Sequence, residues 1–66
     1  MADAIRTRST GLDLRLRRVA LGVSQTNLAA SLGVSRQRVA NVENMYRPPR
    51  TIVARYLAAL AEIAGQ

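Results

Sequence analysis

The chain has no cysteine, no histidine and no lysine. Without cysteine there is neither a disulfide nor a thiolate metal site, and such a sequence suits a reducing interior. Without histidine the usual general base and the commonest metal ligand are missing. Carboxylates are scarce as well: Asp3, Asp13, Glu43 and Glu62 are the only four, too scattered for an obvious catalytic pair. These absences argue against an enzyme and against any metal or cofactor site. No apolar run approaches the roughly 20 residues needed to span a bilayer. The opening stretch MADAIRTRST lacks the apolar core of a secretory signal. A cytoplasmic protein is expected, nucleoid-associated if it binds DNA.

What the chain does have is arginine. All ten basic residues are arginines, and the net charge is +6 over 66 residues. GC-rich coding DNA produces the same bias, so the count alone does not decide a function. The guanidinium nevertheless offers planar, two-pronged recognition of phosphates and guanine edges. A chain of this length forms one domain near the lower limit for folding alone, so association with a partner would help it.

Turn signals divide the sequence. Residues 1–10 are polar and basic without periodicity and read as a flexible arm, leaving 11–66 as the folded domain. Thr10 and Asp13 have capping-box spacing. A first helix over LDLRLRRVAL is expected to turn Leu12, Leu16 and Val19 inward, with Arg15 and Arg18 flanking them. Gly22 marks its end. Ser24 caps a second helix, about 24–32, which points Leu28, Ala29 and Leu32 inward and stops at Gly33. Ser35 caps a third helix, about 35–45, ending near Tyr46. The prolines of RPPR break the chain, and Thr51 is expected to cap a fourth helix ending near Ala64. That helix carries an apolar stripe of Ile52, Val53, Tyr56, Leu57, Leu60 and Ile63. The stripe is wider than three short helices plainly cover; core packing is the leading reading of it, and a self-association surface is the other. No segment alternates at period two for long, so an all-α domain of four helices is expected, with at most a minor addition at either end.

Only GVS joins the second and third helices, and so short a link forces a steep crossing. Ala29 lets the next helix approach, Gly33 accepts a positive φ, and Val34 drops toward the core. The stretch QTNLAASLGVSRQRVANVEN resembles the helix-turn-helix of the phage repressor and Cro family of small phage and bacterial regulators. The likeness is close over residues 24–44 and looser over 12–60. It implies a lambda-repressor-like fold and a repressor-type, sequence-specific regulator of transcription. Such a protein binds double-stranded DNA as a dimer, or together with a regulatory partner protein; no ligand pocket for a small molecule is evident in so small a core.

At about 100° per residue, Val39 and Val42 define the inner face of the third helix. Gln37, Asn41 and Asn44 lie opposite, Arg36 and Ala40 beside them, and Arg38 and Glu43 on the flanks. Glutamine, asparagine and arginine match adenine and guanine edges in the major groove, and Ala40 suits a thymine methyl. The resemblance implies base reading by Arg36, Gln37 and Asn41. It implies backbone contacts from Ser24, Gln25, Ser35, Arg38, Asn44, Arg47 and Arg50, with Gln25 foremost. Met45 and Tyr46 stand where many relatives carry glycine and a polar residue, which leaves the course of the following loop open. The family also often ties its first helix to its third through an arginine and a glutamate, here Arg18 and Glu43. Arg6 and Arg8 in the arm are candidates for a minor groove or for phosphates; a disordered tail is the competing reading. The alternative for the whole chain is a protein-interaction module, antitoxin-like or adaptor, on the same fold. A basic membrane-surface binder, hinted at by RLRRVAL, is set aside because the core is expected to claim the apolar side of that helix.

Overall fold

A computed structural model describes residues 9–65, which fold as four helices with no strand among them. In chain order these are α1 (Gly11–Ala20), α2 (Gln25–Leu32), α3 (Arg36–Glu43) and α4 (Arg50–Ala64). Arg6 and Arg8 lie outside the described residues.

The starts of α1, α2 and α3 are set by side chains accepting from orphan backbone N–H groups. The Thr10 hydroxyl accepts from Asp13 N at 3.0 Å while the Asp13 carboxylate accepts from Thr10 N at 3.1 Å, a complete capping box at α1. Ser24 accepts from Asn27 N at 3.0 Å to open α2, and Ser35 accepts from Arg38 N at 3.1 Å to open α3.

The stops of α1 and α2 use one device twice. Gly22 and Gly33 have φ of +72° and +73°, a region where a Cβ is penalised. After each glycine a valine N–H reaches back to the helix, Val23 to Arg18 O at 3.1 Å and Val34 to Ala29 O at 3.0 Å. This is the Schellman pattern, which turns the valine inward and presents the next residue as a cap. The tripeptide Gly-Val-Ser therefore builds both junctions, at 22–24 and at 33–35.

The core is formed by Leu14, Val23, Leu28, Ala29, Val39, Val42, Tyr56, Ala59 and Leu60, with Leu32, Val34, Ile52, Val53, Leu57 and Ile63 half-buried against it. α2 packs on α3 and α4, and α1 packs on the same two helices. No helix among the described residues is long and apolar enough to cross a membrane.

Several expectations are corrected. The inner face of α1 is Gly11, Leu14 and Arg18, whereas Leu12, Leu16 and Val19 are 57, 57 and 56% exposed. A buried ion pair on Arg18 fixes the rotation of the helix, and the three apolar residues fall on the far side. Gly11 reinforces that rotation. Its N–H donates to Met45 O at 2.8 Å, and a Cβ there would stand 2.4 Å from the Glu43 and Met45 carbonyl oxygens. The reason for setting aside an outward apolar face on RLRRVAL thus fails. Next, α3 ends at Glu43, short of Tyr46. Asn44 closes it with shared bonds to Ala40 O and Asn41 O, and Met45 N turns back to Val42 O at 3.1 Å.

α4 starts one residue before Thr51. Pro49, at φ −56° and ψ 145°, is its cap, its carbonyl accepts from Val53 N, and no side chain caps the helix. Proline is already preset for this position and has no N–H to lose. The leading reading of the α4 stripe holds: its large apolar residues lie in or against the core, and mainly alanine and charged residues remain outside. Among the described residues, the exposed large hydrophobics are Leu12, Leu16 and Val19 on α1, Leu21 at its end, and Met45 and Tyr46 after α3.

Candidate nucleic-acid interface

The outward face of α3 follows from its buried one. Val39, Val42 and Glu43 point inward, so Arg36, Gln37, Asn41 and Asn44 are exposed along one side and Ala40 is half-buried between them. These side chains are not independent. Gln37 donates its amide to Asn41 Oδ1 at 3.0 Å, an i to i+4 pair along the ridge. Arg36 donates to Gln25 Oε1 at 3.1 Å, which ties the first residue of α3 to the first of α2.

Gln25 in turn donates to Glu43 Oε1 at 3.1 Å. Glu43 is buried, and so is its partner Arg18. The guanidinium meets the carboxylate in two parallel bonds, Nε to Oε2 at 2.6 Å and Nη2 to Oε1 at 3.1 Å. A third Arg18 bond, Nη1 to Val23 O at 2.9 Å, pins the turn that leads into α2. The Tyr56 hydroxyl donates to Glu43 Oε2 at 2.5 Å and lies 3.2 Å from Leu14 O. One carboxylate on α3 therefore receives hydrogen bonds from α1, α2 and α4. Every described buried side-chain polar atom has a partner.

Burial alone would raise the affinity of Glu43 for a proton. The bonds from Arg18, Tyr56 and Gln25 outweigh it and hold the carboxyl below its ordinary value of 4.5. The phenol of Tyr56 is pushed well above its ordinary value of 10.0, first by burial and then by the neighbouring carboxylate. Arg18 is raised, chiefly by its hydrogen bond to Glu43.

Between α1, the start of α2 and the ridge of α3 lies an open polar cleft, lined by Arg15, Ser24, Gln25, Thr26, Arg36 and Asn44 among others. The N-terminus of α2 faces this region, bringing free N–H groups and the positive end of a helix dipole. Ser24 and Ser35 are both occupied as caps, and Arg38 is exposed on the flank of α3. Beyond α3 the exposed Tyr46 ring carries the Arg47 guanidinium 5.7 Å from its centroid. Arg50, also exposed, is the first residue of α4, whose first turn has no acidic side chain.

Two polar elements were not foreseen in the sequence. By spacing Tyr56 belongs to the apolar stripe of α4, yet its hydroxyl completes the Glu43 cluster. Arg55 donates to Leu32 O at 3.2 Å, taking up one of the free carbonyls at the end of α2. Neither partner is near in sequence, so no local pattern pointed to them.

A family model described as helix-turn-helix, of the Cro/C1 type, matches residues 14–64. No curated protein and no solved structure matches the chain.

Proposed function

Because the chain belongs to the Cro/C1-type helix-turn-helix family of DNA-binding regulators, we propose that it reads a specific duplex sequence with α3 in the major groove. The observation that carries this reading is the exposed ridge of Arg36, Gln37 and Asn41, set above a turn that brings α2 alongside. With one Gln37 N–H donated to Asn41 Oδ1, the pair keeps the Gln37 carbonyl as an acceptor and the Asn41 amide as a donor. That is the complement of the adenine N6 and N7 edge. Arg36 is anchored by one prong to Gln25 and keeps its other N–H groups for guanine O6 and N7.

Phosphate contacts are assigned to Ser24, Gln25 and Ser35 at the starts of α2 and α3, and to Arg38, Asn44, Arg47 and Arg50 around the ridge. Residues 1–10 serve as a basic arm, and 11–66 as the binding domain. Two copies on paired half-sites, about 34–36 Å apart, would double the recognition available to so small a surface.

The test is selection of bound sequences from random duplex DNA at near-physiological salt, followed by titration of variants on the selected site. A palindromic motif is expected, and Arg36→Ala, Gln37→Ala and Asn41→Ala should each weaken binding by roughly 1–3 kcal/mol. Folding should be little changed, since all three are exposed. No enrichment, or full affinity in all three variants, would sink the proposal.

A further inference from the structure

We infer that the outer face of α1 is a docking surface for an acidic amphipathic helix of a partner protein. Leu12, Leu16 and Val19 fall at i, i+4 and i+7, and each is more than half exposed. Ala20 continues this stripe, which a helix of matching period would cover. The surface extends around the end of α1 into a shallow apolar groove against α4, lined by Ala20, Leu21, Leu57, Leu60 and Ala61, with Arg17 at its edge. Leu21 is 51% exposed. Contiguous exposed apolar patches rimmed by polar residues mark interaction sites.

Charge selects the occupant. Arg15 flanks the stripe on one side and Arg17 on the other, both exposed. The one acid on the helix, Asp13, is committed to the capping box at its start. A second copy of the chain would pair antiparallel about Leu16 and bring these arginines against their own twins, each copy carrying +6. A partner with leucine-like residues in the middle and Asp or Glu at the edges meets both features. None of the apolar residues of this surface lines the polar cleft, and Arg15 alone borders both.

The test uses the whole chain as bait for a displayed library of amphipathic helical peptides. Their apolar stripe is fixed as leucine, and each flanking position is randomised between Glu and Lys. Glu-flanked sequences should be enriched. A synthetic peptide of the selected sequence should then bind roughly tenfold or more weakly to Leu16→Ser. That substitution separates docking on the stripe from general attraction to a basic protein. Arg15→Glu/Arg17→Glu should shift selection toward Lys flanks. Circular dichroism should be unchanged in both variants, since the replaced side chains lie outside the core.

Enrichment that ignores flank charge, or binding indifferent to Leu16→Ser, overturns the proposal. So does a concentration-dependent dimer abolished by Leu16→Ser, which would assign the face to a second copy. Sedimentation with phosphatidylglycerol vesicles that is lost in the same variant would assign it to a lipid surface.

Discussion

Glu43 shows how much one side chain can organise. A carboxylate withdrawn from water is tolerated only when its lone pairs are filled, and here Arg18, Tyr56 and Gln25 fill them. Its proton affinity is lower in the folded state than in the unfolded chain. The resulting stabilisation is complete above the ordinary carboxylate value and is lost as pH falls through the lower, folded one. Tyr56 has the opposite sign. Its raised proton affinity gives a contribution complete below its ordinary value of 10.0 and lost as pH climbs above it. Tyr56→Phe removes one donor from Glu43 and should reduce stability by roughly 1–3 kcal/mol. Urea titrations across pH should show its acid unfolding beginning at a higher pH than in the parent, and its alkaline loss reduced. Unchanged limbs on both sides would mean that the phenol does not act on Glu43.

At the scale of elements, junctions decide the architecture. α1 begins with its backbone pressed against the end of α3, an approach that only a residue without a Cβ permits at position 11. The atoms in the way are backbone carbonyls, which cannot swing aside. Gly11→Ala should therefore destabilise the domain by about 1–3 kcal/mol, in spite of the better helix propensity of alanine. A thermal melt at or above the parent midpoint would contradict this packing. The boundaries of α2 were legible in the sequence because Ser24 and Gly33 act on their immediate neighbours. Ser35 marked the start of α3 in the same way. The orientation of α1 was not, since three apolar residues outvoted a single arginine. Yet the Arg18–Glu43 pairing implied by the family resemblance already required Arg18 to face inward. The repeated Gly-Val-Ser was the signal that both junctions share one construction. The exposure of Arg36, Gln37 and Asn41 followed from the spacing of Val39 and Val42. The link from Arg36 through Gln25 to Glu43 joins three separate places in the chain, so periodicity could not reveal it.

For the molecule as a whole, charge governs association with a polyanion. Each arginine placed on a phosphate releases condensed counterions, so affinity should fall steeply with salt. Arg47→Ala and Arg50→Ala should each weaken binding to every duplex alike and lower the salt slope by about 1. Titrations at several salt concentrations check this, and a slope unaltered in both variants would place those arginines off the backbone. Such a binder must hold its shape with a small core, and the Glu43 cluster bears on how it can come apart. Because α1, α2 and α4 all donate to one acid carried by α3, none can peel away without stranding an ion in an oily interior. Half-open forms are therefore penalised, and the four helices are bound to melt together in a single cooperative step.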